Sequence, residues 1–407
     1  MNLSWEKVAT MSKNVRLVSR RKWLAGSAAA CVAGGWWSVM AQTEEAVVDR
    51  RSQIQIKALV PIRFQDRVFI RIDTNRGISG WGEIKGVIPR VAEELAVSMF
   101  EMLDGQNPTR IEHIWQMLYR SERNQRGGAF MVHCISGIDM ALWDIVGKLW
   151  GVPVATLLGG PTRDKIRVYP SANAVKLGSG PQRMAGNPAE IQPFVDQVRS
   201  TRARLGPEGT IMFDAHCAMP PAFLIQFANA VEPDELLFLE EPAVPGNIEV
   251  FKRLKQQIRI PFALGERDRT IWGILPYLEA GVVDIVQPDC GYTGGISQMK
   301  KIATLAEAYT TPLAPHCTQS YLGMTASFQV SAAVPHLLIH ESYDSDLFAR
   351  FLKPSWTKKD GYVTMGDAPG LGIEVVEAEM RRIASDPNYK YRWRGPRFLD
   401  DGSVTDY

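Results

Sequence analysis

From Thr210 onward the chain repeats one pattern: a short apolar run stops in an ionisable residue and a helical stretch follows. The runs read "TIMFDAH" (210–216), "LLFLEE" (236–241), "IPFALGE" (260–266), "VVDIVQPD" (282–289), "TPLAPH" (311–316) and "HLLIHE" (336–341). Asp214, Glu240, Glu266, Asp289, His316 and Glu341 close them, at steps of 26, 26, 23, 27 and 25 residues. Each step has room for one strand, one helix and two short connections, which describes an α/β chain with a parallel sheet. Closed into a (β/α) barrel, such strands bring all their C-terminal ends to one face, where a site can form. A solvated loop explains one such residue, but not six in series.

The chemistry of the ends narrows what the face can do. Asp214, Glu240 and Glu266 end three consecutive strands, and three neighbouring carboxylates repel unless a cation holds them ionised. An all-oxygen donor set with no Cys or His at ligand spacing suits one Mg²⁺ per subunit rather than zinc. Successive strand residues face opposite ways, so only one of Glu240 and Glu241 can reach such an ion. The equal spacing selects Glu240. On an extended strand His216 would face the same way as Asp214, two residues before it, as a general acid. Asp289 beside His316 fixes the imidazole tautomer and raises its proton affinity, making a general base. Glu341 is placed to hydrogen-bond an oxyanion; His336 and His340 flank it as packing residues.

The rest of the chain has a different organisation. Residues 52–165 open with "VFIRIDT", the turn "NRGISG" and "WGE", which predict an antiparallel hairpin. Helical periodicity then runs from 89 to 150 and stops at Gly151 with Pro153 beyond, predicting an N-terminal α+β unit. Residues 1–41 contain "SRRKWLAGSAAACVAGGWWSVMAQ", which is similar to a twin-arginine signal and predicts export, in bacterial terms to the periplasm, with a cytoplasmic enzyme as the alternative. No stretch approaches a stable membrane span. A net charge of +2 gives no electrostatic basis for nucleic-acid binding. Five scattered cysteines without CxxC spacing make neither a disulfide framework nor a zinc site.

"GISGWGE", "ISGIDMALWDIVGKLWGVPVATLLGG", "FDAHC", "LEEP", "QPDCGYTGGIS", "LAPH" and "KDGYVTMGDAPGLGIEV" occur in this order over about residues 54–380. With these stretches the chain resembles the enolase superfamily, in its mandelate racemase/muconate lactonizing enzyme branch, nearest the acid-sugar dehydratases of the galactonate dehydratase type. The resemblance implies an enolase-type barrel over 166–345, capped by the N-terminal unit together with 346–407. It also implies Mg²⁺ on Asp214, Glu240 and Glu266, a His316–Asp289 base, and Glu341 near the oxyanion. The reaction implied is dehydration of an aldonate to a 2-keto-3-deoxy acid, through an enediolate formed when His316 takes the C2 proton and with His216 protonating the leaving 3-hydroxyl. Many members of this branch are homo-oligomers.

Members that racemise often carry Lys-x-Lys on the second barrel strand. Here "AVKLGS" keeps Lys176, as a candidate substrate-carboxylate ligand, and has Gly178 in the second place. Only 7 residues separate Tyr169 from Lys176, whereas a parallel crossover needs a dozen or more. Either the first crossover helix and part of a strand are missing, which would leave an open seam and unpaired strand edges, or one of these two strands is misassigned. Two other readings follow: an epimerase, racemase or cycloisomerase of another carboxylate, and a degenerate sugar-acid-binding homologue without turnover. Substrate choice is expected from cap loops near "PIRFQ" (61–65) and "RNQRGG" (123–128).

Overall fold

The structure, a computed structural model, describes residues 53–178, 188–391, 397–398 and 402–405. The twin-arginine-like stretch and Cys31 lie outside the described residues. The described chain begins with a three-stranded antiparallel sheet of β1 (Ile56–Phe64), β2 (Arg67–Thr74) and β3 (Ser79–Lys85). Its inner face packs on α1 (Pro89–Leu103), α2 (Ile111–Ser121) and α3 (Ala129–Trp150). β3 lies so close to α3 that a Cβ at Gly82 would sit 1.8 Å from the Gly137 carbonyl oxygen, so glycine is required on both backbones. α3 is long and apolar enough to span a membrane, but 83% of its apolar window is buried inside the molecule, and it serves as the core helix of this layer. It ends where Gly151 turns to φ +70, followed by Pro153 and the single turn α4 (Val154–Leu157).

The second layer is the barrel. β4 (Ile166–Tyr169) leads through four residues into β5 (Ala174–Gly178), and α5 (Gln192–Leu205) follows. Regular units then come in order: β6 (Thr210–Asp214), α6 (Pro221–Val231), β7 (Phe238–Glu240), α7 (Ile248–Lys255), β8 (Phe262–Leu264), α8 (Thr270–Glu279), β9 (Ile285–Val286) and α9 (Gly295–Ala308). β5 to β9 form one parallel sheet. Parallel bridges Val286↔Leu313 and Leu313↔Leu337 carry it on through residues 312–315 and 336–339, on either side of α10 (Tyr321–Ala332). β10 (His340–Glu341) then pairs in parallel with β4.

One inward side chain per strand builds a continuous inner layer: Tyr169, Ala174, Met212, Phe238, Ala263, Ile285, Ala314 and Ile339. Large and small residues alternate in part around this ring, which lets a narrow barrel fill without voids.

The sequence-based expectation of a missing helix holds, and that of unpaired edges holds for β5, which ends its sheet, but needs correction for β4. No helix lies between β4 and β5, and no ladder joins them among the described residues. The outer edge of β4 is nonetheless occupied. After α11 (Asp346–Ala349) and β11 (Leu352–Pro354), the hairpin of β12 (Thr357–Lys359) and β13 (Tyr362–Thr364) lays β13 antiparallel along β4, as Tyr362↔Arg167 and Val363↔Ile166. A strand from the C-terminal segment thus supplies the backbone partners that β5 does not, while the covalent link holds β5 beside Tyr169. The segment then pairs β14 (Ile373–Val375) with β11 and sends α12 (Glu377–Ser385) onto β1, and Arg71 of β2 bonds Glu377.

Candidate active site

The ends of β6, β7 and β8 bring Asp214, Glu240 and Glu266 together, with one carboxylate oxygen from each within 4.8 Å of the others. Asp214 and Glu240 are buried, and Glu266 is partly open to the mouth. Glu240 Oε2 has no hydrogen-bond partner among the described residues. Burial, only partly offset by Lys176, pushes the Glu240 carboxyl well above the usual carboxylate range. A buried acid cluster with an orphaned oxygen calls for positive charge, and the all-oxygen donor set fits a hard divalent cation.

The Lys176 ammonium already answers that demand in part. It lies 2.9 Å from Glu341 Oε1, 3.1 Å from Glu240 Oε1 and 3.6 Å from Asp214 Oδ2. Burial works against its charge, but these carboxylates lift its pKa well above the ordinary lysine value. The short β4–β5 link therefore does not take Lys176 out of the site.

Glu240 and Glu241 separate cleanly. Glu240 ends β7 facing inward, and the backbone then turns, with φ +45 at Glu241. Glu241 faces Arg267, which contacts both of its oxygens at 2.6 and 2.8 Å.

His216 is brought in by a different route from the one expected. β6 stops at Asp214, and His216 and Cys217 adopt φ +47 and +56, so the chain curls over instead of extending. The curl returns the ring to the carboxylate: His216 Nε2 is 2.9 Å from Asp214 Oδ2, and the His216 amide donates to Oδ1 at 2.8 Å. Asp214 raises the imidazole pKa, and burial opposes it less strongly. A Cβ at Gly178 would lie 3.6 Å from His216 Cε1. The missing second lysine thus leaves the space that the His216 ring borders.

On the other flank, His316 Nδ1 is 2.8 Å from Asp289 Oδ2, and its Nε2 points to Glu266 at 3.4 Å and Glu341 at 3.8 Å. Burial disfavours the imidazolium, yet Glu266, Asp289 and Glu341 together push its pKa up to about 10. Glu341 Oε2 accepts from the Cys317 amide, and Lys176 and His316 hold its carboxyl below the ordinary range against the effect of burial.

Several residues at the site were not singled out in the sequence. Gln319 Nε2 donates to Asp289 Oδ1 at 2.9 Å and braces the dyad from behind. Glu83 of the cap, fully buried, takes Arg67 Nη1 at 2.7 Å and the Ser320 and Gly323 amides at the start of α10. Lys85 donates to the Thr318 carbonyl at 2.5 Å. The cap is therefore bonded to the loop that carries His316. The available signal was "WGE", where an acid closes a cap strand, but its partner lies 237 positions away and no local pattern reveals it.

A cavity of about 670 Å³ opens beside Glu341, lined among others by Gln65, Lys85, Tyr343, Tyr389 and Tyr391. Gln65 belongs to the "PIRFQ" stretch expected to shape substrate choice. Residues 123–128 do not line this cavity. Cys217 donates to the Ala243 carbonyl, and Cys290 and Cys317 are buried, in keeping with packing roles.

Two family profiles match the chain. The enolase C-terminal domain-like profile covers 165–379, and the mandelate racemase/muconate lactonizing enzyme N-terminal profile covers 41–159. The chain belongs to the mandelate racemase/muconate lactonizing enzyme family. Among curated members, it is 34% identical to the D-galactonate dehydratase of Variovorax paradoxus (strain S110), over 84% of this chain and 96% of that one. It is 33% identical to the D-galactonate dehydratase of Ralstonia nicotianae (strain ATCC BAA-1114 / GMI1000), over 87% and 100%. Among solved structures, a mandelate racemase/muconate lactonizing enzyme-like protein from Roseovarius sp. TM1035 superposes with a TM-score of 0.78 at 30% identity, over 87% of this chain and all of that one. The 3,6-anhydro-D-galactonate cycloisomerase from Zobellia galactanivorans gives 0.75 at 26% identity, over 81% and 99%. The family fold is the α/β barrel with an N-terminal domain seen here, and by its similarity to dehydratases this member is a hydro-lyase by class.

Proposed function

We propose that this protein is an acid-sugar dehydratase that converts an aldonate, such as galactonate or gluconate, into its 2-keto-3-deoxy acid with the help of Mg²⁺. The observation that carries this reading is the placement of two imidazoles on the flanks of one carboxylate triad: His316 with Asp289 next to Glu266, and His216 on Asp214. Asp214, Glu240 and Glu266 would hold the cation, one per subunit, which supplies Lewis-acid stabilisation to the substrate carboxylate and offsets the anionic field around His316.

The chain's own groups divide the remaining work. Lys176 pairs with the substrate carboxylate. His316 Nε2 takes the C2 proton while Asp289 keeps the Nδ1 proton in place. The electron pair left at C2 spreads into the carboxylate, and Glu341 hydrogen-bonds the oxygen that gains charge. As the C3–O bond breaks, His216 gives its proton to the departing hydroxyl, which leaves as water. The resulting enol becomes the ketone at C2. No electrons enter or leave, so no redox cofactor is needed.

Cap residues 52–165 and tail 346–407 would close over barrel 166–345. Residues 1–41 would direct export by a twin-arginine route to the periplasm, which cell fractionation of the full chain against a variant with Arg20 and Arg21 changed to lysine tests. Homo-oligomerisation is part of the same reading, and light scattering of the purified chain checks it.

The likeness to a cycloisomerase supports a second reading, in which C2 proton removal starts an isomerisation of another carboxylate. Proton NMR in D₂O, with Mg²⁺ and a panel of sugar acids, separates the possibilities. A 2-keto-3-deoxy product carrying deuterium supports the dehydratase. Deuterium at C2 without loss of water supports the epimerase or cycloisomerase. Binding without exchange leaves a sugar-acid-binding homologue.

A further inference from the structure

Tyr169 is the last residue of β4 and the register partner of Glu341 in the adjoining parallel strand. Register partners in parallel strands send their side chains to the same face, here the barrel interior. The ring belongs to the inner layer and is 1% exposed. Lys176 Nζ lies 5.8 Å from its centroid. Pro170 and Glu341, which flank it along the chain and across the ladder, both line the cavity. The backbone is pinned as well, since the Tyr169 carbonyl accepts from the Ser342 amide at 2.6 Å and from Ser342 Oγ at 3.2 Å.

The phenol hydroxyl is fully buried and has no hydrogen-bond partner among the described residues. A buried donor left unpaired is costly, and natural chains keep one where something else completes it. A phenylalanine would fill the same inner-layer position without that cost.

Resting on the dehydratase reading, we propose that the Tyr169 hydroxyl is a substrate ligand that donates a hydrogen bond to the carboxylate of the bound sugar acid, next to the Lys176 ammonium. Burial holds the phenol protonated, the form that can donate. Lys176 supplies charge to the carboxylate, and the phenol, fixed by strand register, supplies direction. β4 and β5 bring both groups to one wall of the site.

The test is Tyr169→Phe in the full chain with Mg²⁺. Calorimetric titration with D-galactonate and D-gluconate is run in a His316→Asn background to prevent turnover, and Tm is measured for the ligand-free single variant. The hydroxyl's role predicts binding weakened about tenfold or more, with ligand-free Tm unchanged or raised by about 2–4 °C. In the His316-intact enzyme KM should rise more than kcat falls. Equal binding by Tyr and Phe overturns the proposal while leaving the dehydratase intact. A lower ligand-free Tm for Tyr169→Phe also overturns it, because the hydroxyl would then have a partner, such as a trapped water, in the free protein. If the parent binds neither acid, the substrate reading is what fails, and the Tm comparison still decides whether the hydroxyl is unpaired.

Discussion

His316 shows how much a single residue can be read from sequence. Its place at the end of a strand, one step after Asp289, was legible, and so was the pairing. His316→Asn should lower C2 deuterium exchange by about 10²–10⁴-fold while leaving Mg²⁺-induced stabilisation in place, as read by Tm with and without chelator. The choice between Glu240 and Glu241 was legible from spacing alone, but the partner of Glu241 was not, because Arg267 lies on the next loop. Glu241 is 3% exposed, whereas Arg267 is 40% exposed at its side chain. Arg267→Met should therefore cost about 1–3 kcal/mol, less than for a fully buried pair. Adding Glu241→Gln should restore part of the loss in urea unfolding. His216 was found for an incomplete reason: the alternation of an extended strand placed it near Asp214, while left-handed backbone at 216 and 217 does the placing.

At the level of elements, the helices of the cap were the most legible, because α2 and α3 carry apolar periodicity and α3 ends in a glycine stop. The barrel strands, only two or three residues long in β7 to β10, were recognisable through what ends them and not through their own pattern. Contacts between elements were largely hidden. α3 meets α9 through Asp139, fully buried, which accepts from Ser297 Oγ at 2.5 Å and from the Ser297 amide at 3.0 Å. Burial pushes the Asp139 carboxyl up to about 7 from an unfolded value of 3.8. The folded state then holds a proton that the unfolded state has released, so the stability Asp139 contributes is full below about pH 4 and is lost as pH rises through about 7. Asp139→Asn should flatten that part of the stability profile, a change of about 4 kcal/mol across the window in urea titrations. The cap strand β3 is tied to α10 through Glu83. Glu83→Ala leaves Arg67, 5% exposed, without its buried partner and should cost about 3–5 kcal/mol. Urea unfolding of the holo form would show whether cap and barrel then melt in separate steps.

For the whole molecule, an α/β barrel and its cap were legible from the serial strand ends, and the missing crossover from a chain too short to contain it. What replaces the missing backbone partners was not legible, because β13 lies far from β4 in sequence and has no distinctive pattern of its own. Val363→Pro removes one amide from the β4 ladder and should lower Tm, with an aggregation tendency that wild type lacks; scanning calorimetry and light scattering would read both. The pairing of Ile166 with Val363 also sets a timetable for biogenesis. While the ribosome is still making the second half of the barrel, the first barrel strand has neither neighbour: β10 and β13 both emerge after β5 to β9. The nascent chain must carry that exposed edge until β13 has been made, so its need for chaperone protection lasts through synthesis of the whole barrel.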